Sequence, residues 1–168
     1  MTDSERFERL WRENVRAVLR YAARRVSPAA VDDVVAETFV VAWRRLDDVP
    51  EFALPWLSGV ARGVAANTAR AGFRRRALVQ RLATQPEMGH DKHDDGPDVT
   101  LEALRQLSSR DQELLTLIAW DGLKPHEAAV VLGCSTVAVR VRLHRARARF
   151  RAALIPAPAA ATALMENP

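Results

Sequence analysis

The sequence lacks three features that would each point to a different location or class of protein. It has a single cysteine, Cys134, so no disulfide can form within the chain, which is typical of proteins that stay in a reducing compartment. The N-terminal residues are charged throughout and cannot supply the apolar core of a secretory signal. The most apolar stretch, near the C-terminus, is short and is broken by Pro156 and Pro158, so it cannot span a bilayer. We therefore expect a soluble, cytoplasmic protein with no membrane insertion.

Signs of enzymatic chemistry are also missing. The chain has no glycine-rich phosphate loop, no paired histidines on a rigid helix, and no nucleophile with a nearby base. His90 and His93, with Asp91, Asp94 and Asp95, have a spacing that could hold a metal, but they lie in a flexible stretch without a cysteine partner. We predict no enzymatic activity, no cofactor and no metal site.

No segment alternates polar and apolar residues with period two, and apolar residues recur at helical spacing along most of the chain. Residues 84–100, TQPEMGHDKHDDGPDVT, contain almost no apolar residues and cannot contribute to a core. The sequence therefore predicts an all-α fold with two small helical domains, 1–83 and 101–155. A flexible acidic linker, 84–100, joins them, and a disordered Ala/Pro tail, 156–168, follows.

What the sequence does have is an excess of arginine in particular places. The 25 basic and 21 acidic residues give a net charge of +4, yet residues 133–151 contain six arginines and no acid. HEAAVVL, the turn GCS and TVAVRVRLHRARARFR have the organisation of a helix-turn-helix, with Gly133 as a left-handed corner and Ser135 or Thr136 as the cap. We expect Val137, Val141 and Phe150 to face inward with Ala138. The outward row is expected to be Arg140, His144, Arg147 and Arg151.

An arginine-rich helix of this kind suits the major groove of DNA, because the guanidinium can pair with guanine edges and with phosphates. The alternative is an ordinary solvated basic helix, which the preceding helix and glycine turn make less favourable. The residues 122–151 resemble the region 4 helix-turn-helix of the sigma-70 family, particularly its extracytoplasmic-function (ECF) group. DDVVAETFVVAWRR and LPWLSGVARGVAANTARAGFRRR resemble further motifs of that family, so the resemblance covers residues 7–154 in the right order.

The resemblance implies two domains, sigma-2 and sigma-4, bound to RNA polymerase core, and a role in promoter recognition and the start of strand opening. The second helix would seat on the coiled coil of the beta-prime clamp, and the beta flap would be a further part of the polymerase that the protein contacts. The linker would pass through the polymerase channels, unless it is only a tether. The family also implies an anti-sigma factor. The residues that would bind polymerase are Asp33, Glu37, Phe39 and Trp43.

The same resemblance assigns residues to the two promoter elements. For the -10 element they are Phe52, Trp56, Asn67, Arg70, Arg74, Arg75 and Arg76. Of these, Phe52 and Trp56 would capture a flipped base, although either could instead pack in the core, and the others would hold phosphates. For the -35 element they are Ser135, Thr136, Arg140, Val141, His144, Arg145, Arg147 and Arg149.

Three positions depart from the family pattern. Ala36 replaces a glutamine, Val137-Ala138 replaces Gly-Thr, and Val141 replaces a serine. Val141 could meet a thymine methyl or simply pack. The chief alternative to a sigma factor is a LuxR-type two-domain transcriptional regulator, which would need a sensor domain before the DNA reader. A protein-interaction module without a DNA function is a further alternative.

Overall fold

The computed structural model describes residues 2–82 and 99–155, with only the backbone described at 71–82. Within those ranges it is all-helical and contains no strand, which confirms the predicted fold class. None of the described helices is long and apolar enough to cross a membrane. The helices are α1 Asp3–Ala23, α2 Val31–Arg44, α3 Leu54–Leu82, α4 Val99–Arg105, α5 Ser109–Ala119, α6 Pro125–Leu132 and α7 Thr136–Leu154. Residues 83–98, with the two linker histidines, and the tail 156–168 lie outside the described residues.

The N-terminal unit consists of α1, α2 and α3. Thr2 caps α1, since its hydroxyl accepts a hydrogen bond from the Glu5 amide at 3.3 Å. The helix ends at Ala23, and Pro28 opens a single 3-10 turn before α2. One face of each helix is buried in a common core that includes Val18, Tyr21, Val34, Phe39, Leu57 and Ala61.

The C-terminal unit consists of α4 to α7. Its first helix begins at Val99, two residues before the predicted start of the domain at residue 101. Ser108 caps α5 by accepting a hydrogen bond from the Asp111 amide at 3.2 Å. The buried apolar side chains of this unit are aliphatic and include Leu114, Leu117, Ala128, Val131, Val139, Leu143 and Ala146, and two carboxylates, Asp111 and Glu127, are buried with them.

The turn between α6 and α7 follows the prediction. Gly133 has φ +63°, the left-handed conformation that a residue without a Cβ adopts at no steric cost. Ser135 is the cap, because its hydroxyl accepts a hydrogen bond from the Ala138 amide at 3.2 Å. Thr136 is the first residue of α7 and does not have this role.

The predicted inward face of α7 was wrong in its register. Val139, Leu143 and Ala146 are the buried residues, whereas Val137 and Val141 are 69% and 45% exposed. Phe150 does pack against the core. Leucine buries more apolar surface than valine, so the helix turns Leu143 inward, which leaves the two valines facing solvent.

The two units lie against each other, with α3 facing α6 and α5. An added Cβ at Gly59 would lie only 3.7 Å from the Cα of Val131, so the backbones of α3 and α6 approach closely there. Two groups of ion pairs cross the same boundary. Asp121, after α5, accepts hydrogen bonds from Arg24 and Arg25 at the end of α1, and Glu113 on α5 accepts two from Arg62 on α3.

Candidate DNA- and polymerase-binding surfaces

The outward face of α7 is a row of exposed basic side chains. Arg140, His144, Arg147 and Arg151 are all exposed, as the sequence predicted, and Arg145 is exposed beside them. None of these five side chains makes an ion pair within the described parts of the chain. Exposed Val141 lies on the same surface, so its side chain is free to meet an apolar group on a partner. Within the described residues, these guanidinium groups have no carboxylate partner, which suits the binding of a polyanion.

Arg149 differs from that row. Its guanidinium donates to the carboxylate of Asp111 on α5 at 2.6 Å, and Asp111 is itself buried. The pair joins the later part of α7 to α5. A buried carboxylate needs such a partner, since an unpaired charge in a low-dielectric interior is costly. The first structural role of Arg149 is therefore to hold α7 in place.

On α3, Asn67 and Arg70 are exposed and lie one turn apart. The Arg70 guanidinium donates to the Asn67 side-chain oxygen at 2.6 Å, so the two side chains form one polar site on the helix surface. Arg74, Arg75 and Arg76 continue the same helix, but their side chains lie outside the described residues. The backbone thus brings all five predicted phosphate-binding residues onto one helix.

The loop before α3 presents an aromatic ring to solvent. Phe52 is 65% exposed, which excludes core packing and leaves its ring available for stacking. Trp56 is half-buried and has the Arg45 guanidinium 5.8 Å from its ring centroid. Beside this loop lies a cleft of about 590 Å³, whose charged lining is two arginines, Arg6 and Arg9, and two glutamates, Glu13 and Glu51. An exposed aromatic ring can stack on an unstacked base.

The second helix carries a mixed surface of acidic and apolar side chains. Asp33, Glu37 and Val40 are exposed at helical spacing along one side of α2. Trp43, 47% exposed, packs edge-on against Phe7 with ring centroids 5.1 Å apart. A large, partly exposed aromatic ring held by a neighbour is typical of a protein-binding surface.

The prediction that Phe39 contacts polymerase directly was wrong. Its ring is 1% exposed and packs between Phe7 and Trp11, with centroid distances of 6.3 and 4.4 Å. Phe39 therefore supports the surface from below. Sequence reasoning also missed Trp11 and Val40, which are partly exposed on the same side of the unit. A match to a motif cannot distinguish a residue that binds from one that only holds its neighbour.

Tyr21 lies in the core beneath the boundary between the two units. Burial raises the pKa of its phenol to about 12, and the nearby Arg25 guanidinium, 3.6 Å from the ring centroid, opposes this rise only partly. Its hydroxyl is buried and has no hydrogen-bond partner in the described part of the chain. Across the boundary, the hydrogen bond to Glu113 raises the pKa of Arg62 further above its ordinary value. Tyr21 and Arg62 thus keep their ordinary charge states at neutral pH.

The C-terminal unit is a helix-turn-helix whose exposed basic row makes no ion pair within the described residues. The N-terminal unit that precedes it in the chain has a basic helix of its own. Together these features define a two-domain DNA-binding protein. Comparison with known families makes this specific. The family described as Sigma-70 region 2 matches residues 10–77, and the family described as Sigma-70, region 4 matches residues 98–150. This chain belongs to the sigma-70 family, in its ECF group. A LuxR-type regulator is not supported, because the first half matches a sigma region.

The relatives agree with this assignment. The chain is 33% identical to the RNA polymerase sigma factor CnrH of Cupriavidus metallidurans over 74% of this chain and 73% of that protein. It is 30% identical to the probable sigma factor RfaY of Xanthomonas campestris over 76% of this chain, but it spans only 34% of that protein's length. It is 29% identical to the ECF sigma factor SigL of Mycobacterium tuberculosis over 86% of both chains.

A solved structure extends the comparison to the fold. The structure of CnrH in complex with the cytosolic domain of CnrY superposes with a TM-score of 0.58 at 29% identity. The match covers 88% of this chain and 86% of CnrH. Both the order of the helices and their arrangement are therefore shared with a sigma factor.

Proposed function

We propose that this protein binds RNA polymerase core and directs transcription from promoters that contain a -10 and a -35 element. The observation that carries the proposal is the presence of both sigma regions in one chain, in order, with suitable side chains exposed in each. The protein performs no covalent chemistry itself and acts in the cytoplasm, where its polymerase works. The catalytic site belongs to the polymerase.

The N-terminal unit makes the main contact with the beta-prime clamp coiled coil. The contact surface is the exposed side of α2 with Asp33, Glu37 and Val40, bordered by Trp43. Acidic groups around an aromatic residue provide charge complementarity at the rim and an apolar anchor at the centre. Phe39 fixes the position of that anchor. The C-terminal unit meets the beta flap.

The same unit takes the -10 element with its loop and α3. Phe52 stacks on a base that leaves the duplex, and Trp56 borders the site. Asn67, Arg70 and the arginines at 74–76 hold the backbone phosphates. Stacking on an aromatic ring replaces the stacking that the base loses when it flips, and phosphate contacts fix the register of the strand.

The C-terminal unit reads the -35 element with α7 in the major groove. Arg140, Val141, His144 and Arg145, on the first turns of the helix, meet base edges, and Arg147 reaches a phosphate. Ser135 and Thr136 lie at the start of the helix, near the strand that it enters. Arg149, which is held by Asp111, keeps the helix in position and reaches phosphate only from the rim of the contact.

An anti-sigma protein is a further proposed partner. CnrH, which shares the fold and about a third of its residues with this chain, was solved with the cytosolic domain of CnrY. A protein of that kind would compete with polymerase for the exposed surfaces of the N-terminal unit. The test is to co-purify the chain with a candidate partner and to measure whether core polymerase displaces that partner.

Run-off transcription with purified core polymerase across a promoter library tests the function. We expect promoter-dependent transcripts that core polymerase alone does not make. Arg140→Ala should lose transcripts from a subset of promoters. The matched control is Arg105→Ala, which removes an equal charge from α4 of the same unit. Transcription that is no different from core alone would contradict the proposal, and binding to core without DNA binding would favour an interaction module.

A further inference from the structure

Opposite charges meet across the boundary between the two units. The N-terminal unit contributes three arginines, Arg24, Arg25 and Arg62, and the C-terminal unit contributes two carboxylates, Asp121 and Glu113. Asp121 is nearly buried, with its side chain 9% exposed between the guanidinium groups of Arg24 and Arg25, which directly follow α1. Glu113 accepts from Arg62 at 2.7 and 3.2 Å in a two-point contact. The boundary is therefore held by charge-assisted hydrogen bonds of the kind that guanidinium also makes with phosphate.

These arginines lie beside the proposed -10 surface. Arg62 and Arg70 are eight residues apart on α3 and therefore share one side of the helix. A crevice of about 940 Å³ between the units is lined by Arg24, Arg25, Arg62 and Arg70 from the N-terminal side. Three of these four arginines are occupied by carboxylates of the C-terminal unit. Their capacity to bind a polyanion is thus used inside the chain.

The backbone contact at Gly59 explains how the units come close enough for these pairs. An added Cβ there would meet the Cα of Val131 at 3.7 Å and the carbonyl oxygens of Val130 and Val131 at 3.9 Å. Those are ordinary contact distances, so alanine fits, but a larger side chain would have to push α6 away from α3. A substitution at Gly59 can therefore change the distance between α3 and α6 without changing the charge of the chain.

We propose that Arg24, Arg25 and Arg62 form a phosphate-binding site that the C-terminal unit covers in the closed chain, with Glu113 and Asp121 in the places of phosphate groups. DNA then competes with the chain's own carboxylates for the same guanidinium groups. Separation of the two units releases the three arginines together. The closed form therefore binds DNA weakly with its N-terminal unit, and the open form gains an additional basic surface continuous with Arg70.

The first test changes size only. Gly59→Leu should separate the units, and Gly59→Ala should leave them closed, as measured by the radius of gyration in small-angle X-ray scattering on the full chain. Affinity for a duplex of arbitrary sequence should rise about tenfold in Gly59→Leu. The slope of log K against log salt should steepen by about one to three units, because each released arginine adds about 0.9. Adding Arg62→Ala to Gly59→Leu should reduce that slope by about one.

The second test changes charge only and protects the conclusion if the leucine variant folds poorly. Glu113→Gln with Asp121→Asn should open the chain and raise DNA affinity. The control, Glu102→Gln with Asp48→Asn, removes the same number of charges from exposed pairs within each unit and should leave the chain closed. A control pair that raises DNA affinity as much as the test pair would show a net-charge effect and overturn the proposal.

Scattering and DNA affinity test this inference separately from the proposed function. Only the part of the inference that concerns DNA binding rests on the proposed function. Scattering needs neither polymerase nor promoter. Unchanged radii for both the leucine variant and the double carboxylate variant would overturn the closed form. Open variants whose DNA affinity and salt slope equal those of the wild type would overturn the covered site, even if transcription by the wild type is normal.

Discussion

The two units bury different kinds of side chain in their cores, and they also differ in the side chains that they leave exposed. The N-terminal unit buries Tyr21 and Phe39 and leaves Trp11, Trp43 and Phe52 partly exposed. The described C-terminal unit buries aliphatic side chains together with Asp111 and Glu127, and it leaves Trp120 and the arginines of α7 exposed. Aromatic rings suit contacts with proteins and unstacked bases, and guanidinium groups suit a duplex. This difference agrees with the different partners proposed for the two units.

The largest expected effect is on the aromatic core. Phe39→Ala should lower the free energy of unfolding by about 3 to 5 kcal/mol, because it removes a buried ring and leaves a cavity between Phe7 and Trp11. Urea denaturation followed by circular dichroism measures the change. The control is Val40→Ala, its exposed neighbour on α2, which should stay within about 0.5 kcal/mol. Equal unfolding midpoints for the two variants would contradict the buried role of Phe39.

The second effect concerns Tyr21, a phenol buried in the core of the N-terminal unit. Tyr21 is the only tyrosine, so ultraviolet absorbance reports its titration alone, and the midpoint should lie near pH 12. The phenol is protonated in the folded chain and ionises near pH 10 when unfolded. The contribution of Tyr21 to the free energy of unfolding is therefore complete below pH 10, and about 3 kcal/mol of it is lost as the pH rises through 12.

Tyr21→Phe is the control for that titration. It keeps the ring and removes the ionisation, so the variant should lose less stability than the wild type between pH 10 and 12. An absorbance midpoint at the value of free tyrosine would show that Tyr21 is solvated.

The third effect is on the surface that the aromatic unit leaves exposed. Trp43→Ala should weaken binding to core polymerase by about 2 kcal/mol, as expected for an anchoring tryptophan, with a much smaller loss of stability. Fluorescence anisotropy with labelled core polymerase measures the affinity. Leu19→Ala, which shortens an exposed apolar side chain on α1, should bind like the wild type. Equal affinity of both variants would remove Trp43 from the interface.

The fourth effect concerns the basic unit. Arg140→Ala should cost about 1 to 3 kcal/mol of affinity for a preferred -35 sequence and relax selection at one base position. Stability should not change, since Arg140 has no ion-pair partner in the described residues. Binding to single-base variants of the -35 element measures this. A uniform loss with base preference preserved would mean that Arg140 contacts phosphate.

The smallest effect separates Arg149 from its neighbours. Arg149→Ala should lower the free energy of unfolding by about 1 kcal/mol, because its pair with Asp111 is partly exposed to solvent. Its effect on DNA affinity should be smaller than that of Arg140→Ala. Thermal unfolding and DNA binding of the two variants, measured side by side, test the distinction. A larger DNA effect for Arg149→Ala would place it in the contact.

The helical fold and the turn of the helix-turn-helix could be predicted because their determinants are local. Helical periodicity indicated the helices, and glycine before serine indicated the turn at Gly133. The inward face of α7 could not be predicted, because valines and alanines occupy several sides of the helix and only packing selects Leu143. The pairs between the units join residues such as Arg62 and Glu113, 51 positions apart, which no local pattern relates.

The length of α7 limits how the helix can meet DNA. Its 19 residues span about 28 Å at 1.5 Å per residue, more than twice the roughly 12 Å width of the major groove. A helix that crosses the groove, as proposed for α7, can place only about two turns between the two DNA backbones, and the rest of it passes over one of them. The hydrogen bond from Arg149 to Asp111 holds the later part of α7 against α5.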